Sequence, residues 1–267
     1  MPVNLTKNWN IFVQCLRIQW VTLGEYKDNF FFDFFSRGCG FIMFWLTWSA
    51  VLGQTTIPGW DLHGLLLFAG MQEIFLSLIL MFAYGVIGIK DAILRGTLDT
   101  YLSRPCNEWF TISMQNGFMA FAGMVIGLAI LAVAWFDGIY TLSVIKFLLV
   151  TASAIVGLGI AYLFGLIAVT ATLWVGKNDI YDRIFWSIFE FDYYPTNIFP
   201  SAIQIFISFT IPFMLVQTVP SLLLLDRIPL MTAFWWLAIS MVILIANYLV
   251  FSLLWKRGLK RYEAWGG

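Results

Sequence analysis

The sequence predicts an all-α integral membrane protein with six transmembrane helices, an N-terminal interfacial helix and a short cytoplasmic helix between the second and third spans. Of its 267 residues, 61% are hydrophobic and only 11% are charged, whereas soluble domains are about 25% charged. Uncharged runs recur at roughly the 20-residue length that crosses a bilayer core. This composition leaves too little polar surface for a water-soluble globule of this size.

The predicted elements follow one another without a linker or an internal repeat, so residues 1–267 are expected to form a single transmembrane domain. Residues 1–29 mix apolar and polar side chains and are expected to lie on the membrane surface. The candidate spans are residues 38–52, 65–89, 109–136, 147–175, 201–225 and 231–255.

Two prolines mark the fifth candidate span. Pro212 and Pro220 free backbone carbonyl groups that need other hydrogen-bond donors, so a kink or a partly re-entrant outer segment is expected. Such a segment acts either as a gate at the outer exit or as a static cap.

The distribution of basic residues predicts the orientation. An even number of spans places both termini on one side of the membrane. With the termini in the cytoplasm, all of the 15 Lys and Arg residues except Lys146 and Arg227 fall in inner segments. Short loops rich in Lys and Arg stay cytoplasmic, so the chain is predicted to be a multi-pass protein with both termini inside.

The first charge-dense cytoplasmic segment is residues 90–108. Gly96 interrupts it, and Thr97 or Asp99 can cap a new helical turn. Arg104 precedes Pro105 and therefore avoids the helical region. The sequence predicts a short helix across the mouth of the second and third spans.

The second charge-dense segment is residues 176–200, which is also predicted to be cytoplasmic. Its apolar side chains recur at helical spacing, at Ile180, Ile184, Ile188 and Phe191. This pattern indicates an amphipathic helix, which lies either on the membrane surface or against a partner.

Glu73 is a carboxyl group near the middle of the second span. A charge at this depth costs about 2.5–3.5 kcal/mol on insertion scales and needs a partner or water. Gln72 is adjacent to it, and Ser77 and Tyr84 lie on its helical face. Glu73 is therefore interpreted either as a protonated group bonded to a neighbouring helix or as a carboxylate lining a substrate path.

Small residues form stripes on two spans. Ser153, Gly157, Ala161 and Gly165 lie four residues apart in the fourth span, and Gly123 and Gly127 form a GxxxG pattern in the third. Small side chains let helices approach closely in lipid. These stripes are interpreted as packing within the bundle or, alternatively, as a dimer face.

The sequence lacks the motifs of several catalytic and ligand-binding sites. The sequence has one histidine, no paired metal-ligand spacing and no phosphate-binding GxxxxGK[ST] loop, so neither a catalytic site, nor a metal, nor direct ATP binding by that loop is predicted. A net charge of zero gives no basic patch for nucleic acid.

The segment RGTLDTYLSRPCNEWF resembles a motif of bacterial ABC-type export permeases, the ABC-2 superfamily, in its six-span branch of about this length. The matching positions are Gly96, Leu98, Asp99, Leu102, Arg104 and Pro105. The Ile211-Pro212-Phe213 run with Pro220, and the tail with Gly258 and Tyr262, agree as well. Asn107-Glu108 departs from the more apolar stretch expected there.

The resemblance implies the transmembrane subunit of an ATP-driven exporter in the bacterial plasma membrane. It would move an amphipathic or hydrophobic substrate, such as a drug, lipid or natural product, outward. Two separate ABC ATPase subunits would bind the ATP, and a second copy or a similar permease would complete the complex. The short helix would be the coupling helix, in which Asp99 and Arg104 either contact the ATPase or form a local salt bridge.

Two other functions stay open from the residues. A secondary, ion-coupled transporter would use Glu73 as its proton or ion carrier, but the chain lacks the inverted repeats typical of such folds. A membrane-embedded lipid-modifying enzyme would need a nucleophile or metal set, and no such pattern is visible.

Overall fold

The computed structural model describes residues 5–25, 27–104, 107–115, 120–176, 183, 187, 190–210 and 214–262. These residues are predominantly α-helical and contain no β-strand, which confirms the predicted all-α class. The helices, in chain order, are α1 (Leu5–Glu25), α2 (Lys27–Gln54), α3 (Leu62–Phe82), α4 (Ile87–Leu94), α5 (Leu98–Leu102), α6 (Glu108–Gln115), α7 (Phe121–Phe136), α8 (Val144–Thr170), α9 (Thr172–Val175), α10 (Ser201–Thr210), α11 (Val219–Leu224) and α12 (Leu230–Leu259).

Shorter turns join some of these helices. Tyr84–Val86 is a 3₁₀ turn that makes α3 and α4 nearly continuous, and Glu190–Tyr193 and Thr196–Ile198 are also 3₁₀ turns. Met214–Thr218 is a π-helical turn that leads directly into α11. Such turns are frequent at functional sites.

Three helical stretches in the described part of the chain are long and apolar enough to cross a membrane, namely Leu62–Leu94, Val144–Val175 and Leu230–Leu259. They coincide with the second, fourth and sixth predicted spans. Phe121–Phe136 and Met214–Leu224 are shorter apolar helices. The first predicted span lies within α2, which extends further toward the N-terminus than the apolar run.

The helices form a bundle with two distinct ends. The loop end is formed by the connections at residues 55–61, 137–143 and 225–229, where Arg227 contacts Asp61 at 2.7 Å. The terminal end contains α5, the start of α6 and the C-terminal end of α12, where Trp255 Nε1 donates to Glu108 Oε1 at 3.0 Å. Antiparallel α3 and α7 run between the two ends.

The stripes of small residues pack inside the chain. A Cβ atom on Gly127 would lie 2.8 Å from the backbone oxygen of Gly70, so this glycine lets α7 approach α3 closely. Ser153, Gly157, Ala161 and Gly165 of α8 are buried as well. These contacts support packing within the bundle, which was the first of the two interpretations.

The residues predicted as the fifth span do not cross the bundle. Asn197, just before this stretch, accepts a hydrogen bond of 2.8 Å from Trp60 Nε1 at the loop end. Leu224, at its other end, accepts one of 3.3 Å from the Thr141 amide, also at the loop end. Both ends of the stretch therefore lie in the same half of the molecule.

The middle of this stretch reaches the centre of the bundle, since Leu215 packs with Val156 and Ile160 near the middle of α8. At about 1.5 Å per residue, the described parts of α10 and of the Met214–Leu224 helix are each about half as long as a bilayer core is thick. They form a re-entrant pair that enters and leaves at the loop end. This agrees with the re-entrant outer segment expected from the prolines and corrects the boundaries of the fifth span.

The segment at residues 176–200, which was predicted to be cytoplasmic, is described only in part. It begins at Gly176, after α9 at the terminal end, but its described residue Asp192 is 2% exposed inside the bundle. The chain therefore passes from the terminal end to the loop-end half within this segment. Ile180, Ile184 and Ile188, which carried the predicted amphipathic pattern, lie outside the described residues.

Candidate functional site

Glu73 of α3 forms an ion pair in the bundle interior. Its Oε2 atom accepts a hydrogen bond of 2.9 Å from Arg37 Nη1 of α2, and the two side chains are only 16% and 12% exposed. Asp33, one helical turn before Arg37, binds its Nε atom at 3.0 Å. The structure thus gives Glu73 a charged partner on the neighbouring helix α2.

The fit of this ion pair depends on α7. A Cβ atom on Gly123 would lie 2.6 Å from Arg37 Nη1 and 2.9 Å from Glu73 Oε2. The glycine lets the ends of both side chains lie against α7 without displacement. One glycine of the predicted GxxxG pattern therefore has a specific role, because it accommodates the charged pair.

A cavity of about 250 Å³ lies between α2 and α3 beside this pair. It is lined by Ser36, Arg37, Gly40, Phe41, Phe44, Ala69, Gln72, Glu73, Leu76 and Tyr193. Of the residues predicted for the substrate path, Gln72 and Glu73 line this cavity. Ser77 is buried, with its hydroxyl donating to the Glu73 backbone oxygen at 2.7 Å, and Tyr84 packs against the hydrophobic core; neither lines the cavity.

Asp192 joins three elements next to the cavity. Its Oδ2 atom accepts a hydrogen bond of 3.3 Å from Gln72 Nε2 of α3, and its Oδ1 atom accepts one from Gln217 Nε2 of the π turn. Tyr193, the next residue, lines the cavity itself. The cavity wall is therefore linked directly to the re-entrant pair.

Sequence analysis missed both Arg37 and Asp192 as members of this cluster. Arg37 was counted among the inner cations, and Asp192 was assigned to a surface segment. One signal was available for each: Arg37 adjoins the apolar run of the first span, and Asp192 lies within the aromatic run FEFDYY. A buried ionisable group in a membrane protein implies a nearby partner.

The segment that resembles the coupling-helix motif lies at the terminal end. Gly96 has a left-handed φ of 67° and ends α4 in a Schellman motif, since the Thr97 amide donates to the Ala92 oxygen at 2.9 Å and the Gly96 amide to the Ile93 oxygen at 3.2 Å. An L-residue at this φ is strained. The glycine therefore sets the angle between α4 and α5.

The short helix α5 has a buried side and an exposed side. Leu98 is fully buried in the core, whereas Leu102 is 37% exposed and Asp99 is exposed as well. Thr97 occupies the N-cap position without a side-chain capping bond, so the predicted cap is not formed. Pro105 lies outside the described residues.

Arg104 contacts an aromatic ring rather than an acid. Its guanidinium lies 5.2 Å from the centre of the Tyr101 ring, and the described residues include no ion pair between Arg104 and Asp99. The local salt bridge considered from the sequence is therefore not formed. Both charges stay at the surface of the terminal end.

Tyr262, after α12, packs on the buried side of α5 together with Leu98. Burial raises the pKa of the Tyr262 hydroxyl, and the charge of Asp99 raises it further. The hydroxyl lies beside the backbone amides of Leu98 and Asp99 but forms no hydrogen bond of good geometry there. The residues that follow the C-terminal helix thus pack against the buried side of α5.

Ion pairs fix the loop end. Lys146 Nζ lies 2.8 Å from Asp226 Oδ1, and Arg227 donates both to Asp61 and to the Gly59 oxygen, the latter at 2.8 Å. Asp226 adopts a left-handed φ of 57°, which is strained for a non-glycine residue. The two cations predicted to lie apart from the others thus occur together at the end opposite α5.

The predicted outer gate is partly described. Pro220 is the second residue of α11 and is buried, and because the π-helical turn runs directly into α11, its missing N–H group leaves a carbonyl of that turn without a helical donor. Pro212 lies outside the described residues. Pro220 therefore belongs to the return arm of the re-entrant pair.

Comparison with known proteins identifies a family. A family model described as ABC-2 family transporter protein matches residues 38–266, which is most of the chain. No curated protein and no solved structure matches the chain. Among the described residues, no group of three His, Cys, Asp or Glu side chains is placed to hold a metal ion.

Proposed function

The chain belongs to the ABC-2 family of transporter proteins, as a membrane permease component of an ABC transporter, and from this premise we propose that it is the transmembrane half of an exporter. In this proposal it moves an amphipathic or hydrophobic substrate outward across the bacterial plasma membrane. Two ABC ATPase subunits bind and hydrolyse the ATP, and a second copy or a similar permease completes the pore. Both termini face the cytoplasm.

The observation that carries this proposal is the position of α5. The helix is anchored by the buried Leu98 and exposes Asp99 and Leu102 at the terminal end. ATP-driven closure of the ATPases needs a rigid element that transmits the motion into the membrane. An element fixed on one side and exposed on the other fits this role, with Gly96, Arg104 and Pro105 at its boundaries.

The polar cavity supports a substrate path on the α2–α3 side. Glu73 and Gln72 line it, and the hydrogen bonds of Asp192 connect it to the re-entrant pair. Closure at α5 would thus be transmitted through α3 to the cavity and then to the gate around Pro212 and Pro220. Ser77 and Tyr84 would support α3 rather than contact the substrate.

The test of the ATPase partnership is the reconstituted complex. The ATPase is expected to co-purify with the permease and to hydrolyse ATP faster in its presence. Leu102→Asp is expected to lower this stimulation, because it places a second acid at the docking surface. Leu142→Asp is the matched control, since Leu142 is a similarly exposed leucine, 41%, at the loop end. Equal effects of the two variants would contradict the proposal.

The Arg37–Glu73 pair favours one alternative, an ion-coupled transporter, because intramembrane acid–base pairs mark proton relays. Such a transporter would move substrate in liposomes under a proton gradient without an ATPase. The exporter instead requires the ATPase and ATP. Movement that is driven by the gradient alone would replace the proposed function with this one.

A substitution at Glu73 tests the path itself. Glu73→Gln is expected to lower substrate transport while the protein still folds, because Arg37 keeps its second partner Asp33. Transport per folded molecule, with folding checked by size-exclusion chromatography, measures the effect. Unchanged transport would remove Glu73 from the path.

A further inference from the structure

The cavity between α2 and α3 combines aromatic walls with charged groups. Phe41 and Phe44 of α2 and Tyr193 contribute rings, while Glu73 and Arg37 contribute charges. Its volume of about 250 Å³ suits the head of an amphipathic molecule better than a whole drug-sized molecule, whose pockets measure roughly 300–1,000 Å³.

The charges around the cavity are unequal in number. Asp33, Glu73 and Asp192 supply three carboxyl groups, and Arg37 is the one cation among the described residues that contacts them. Two of the three carboxylates share that guanidinium. Asp192 is held instead by the amide groups of Gln72 and Gln217, which donate hydrogen bonds without adding charge.

Glu73 retains the capacity to bind a further group. Its Oε2 atom is engaged by Arg37, and its Oε1 atom has no hydrogen-bond partner in the described part of the chain. A carboxylate in a poorly hydrated site gains strongly from a nearby positive charge. The faces of aromatic rings attract the same kind of group, and quaternary ammonium ions are typically bound between such rings.

We propose that this cavity binds an organic cation, an ammonium head on an apolar body, between Glu73 and the rings of Phe41, Phe44 and Tyr193. The inference names the substrate class of the proposed exporter. Transport of this class rests on the proposed function, but binding does not, because binding requires no ATPase. The same head group occurs on free cationic amphiphiles and on amine-containing lipids.

The binding experiment uses the full-length protein in uncharged maltoside micelles, without ATPase. The probes are decyltrimethylammonium and its neutral tert-butyl isostere, which has the same shape without the charge, together with decyl sulfonate as the anion. Empty micelles provide the background. The cation is expected to bind roughly tenfold more tightly than the neutral isostere. Equal binding of the two, or tighter binding of the anion through Arg37, would overturn the inference.

Matched aromatic variants test the location of the site. Tyr193→Leu is expected to weaken cation binding severalfold while binding of the neutral isostere changes little, and Tyr193→Phe is expected to restore it. Tyr194→Leu is the control, because Tyr194 contacts Trp48 and Phe199 instead and does not line the cavity. Equal loss in both leucine variants, or no loss in Tyr193→Leu, would contradict this site.

Added lipid separates the two sources of the cation. Displacement of the probe by phosphatidylethanolamine, but not by phosphatidylglycerol, would support the site with a lipid head as its natural ligand. Resistance to both lipids, with the charge preference intact, would support a free amphiphile. Displacement by phosphatidylglycerol alone would contradict a cation site.

The result is distinguishable from that of the ATPase experiment. Cation-selective binding without ATPase stimulation would retain this inference and remove the exporter. Stimulation of the ATPase without any preference for the cation would retain the exporter and remove this inference.

Discussion

The two ends of the bundle differ in whether their basic side chains form ion pairs. At the loop end, Lys146 and Arg227 form ion pairs with Asp226 and Asp61. At the terminal end, the exposed cations around α5 and at the end of α12 form no ion pair among the described residues; they are Arg95, Arg104, Lys256, Arg257, Lys260 and Arg261. Both cations of the loop end are thus paired within one chain, whereas the terminal end presents charges around α5 that a partner can bind.

Both ends also contain residues with a left-handed backbone conformation. Gly96 at the terminal end and Gly138 at the loop end both adopt a φ of 67° after a helix. Asp226 adopts the left-handed region without being glycine, and its side chain accepts hydrogen bonds from Thr141 at 2.8 Å and from Lys146. Local strain at the loop end is therefore offset by contacts inside the chain.

The largest expected effect is on stability, and it distinguishes the buried side of α5 from its exposed side. Leu98→Ala removes a fully buried side chain and is expected to lower the free energy of unfolding by about 2–5 kcal/mol. Leu102→Ala changes an exposed side chain and is expected to alter it by less than about 0.5 kcal/mol, yet to lower ATPase stimulation. Thermal unfolding in detergent and the ATPase assay measure the two effects. A destabilised Leu102→Ala with normal stimulation would mean that α5 is purely structural.

Matched glycine variants give the next effect in size. Gly96→Ala and Gly138→Ala each force a Cβ atom into the left-handed region, at a cost of about 1–2 kcal/mol. Both are expected to lower Tm by similar amounts. Only Gly96→Ala is expected to lower ATPase stimulation, because it changes the angle of α5. Loss of stimulation in both variants would show that the two ends are not functionally distinct.

The smallest expected effect is the pH dependence of the loop end. Burial raises the pKa of Asp61, but hydrogen bonds from Arg227 and the Gly64 amide outweigh it and lower the pKa below its usual value. Hydrogen bonds from Lys146 and Thr141 lower the pKa of Asp226. A lowered pKa means that the stabilisation is complete above the unfolded-state value of 3.8 and is lost as the pH falls through the lower folded-state value.

Thermal unfolding between pH 7 and pH 3 measures this contribution. The wild type is expected to lose more stability at the acid end than the Asp61→Asn/Asp226→Asn double variant. Asp91→Asn at the terminal end is the control, because its exposed carboxylate forms no ion pair among the described residues. An identical acid response in the double variant and the wild type would show that the loop-end pairs contribute no measurable stability.

The sequence predicted the features that depend on local pattern. Apolar length located the second, fourth and sixth spans, because crossing a bilayer requires about 20 apolar residues regardless of neighbours. Gly96 and the residues after it predicted α5. Lys146 and Arg227 are the two basic residues that fall outside the predicted inner segments, and this predicted that they share one end of the bundle. The cytoplasmic location of the other end stays a prediction.

The features that were missed depend on contacts between distant parts of the chain. Arg37 and Glu73 are 36 positions apart, and Gln72 and Asp192 are 120 apart, so no local pattern reveals either pair. Hydropathy measures the length of an apolar run but does not show whether the chain crosses the bilayer or turns back within it. The apolar stretch on either side of residues 211–213 therefore resembles a complete span, although both of its described ends lie at the loop end.

Cross-linking from the two ends tests the central claim, that the terminal end binds the ATPase. Cys15, Cys39 and Cys106 are replaced by serine, and a single cysteine is introduced at Thr100 in α5 or at Thr56 in the loop end, both of which are exposed. A thiol-to-amine cross-linker is then applied to the complex with the ATPase. The account predicts a permease–ATPase product from Thr100→Cys and none from Thr56→Cys. A product from Thr56→Cys alone would contradict it.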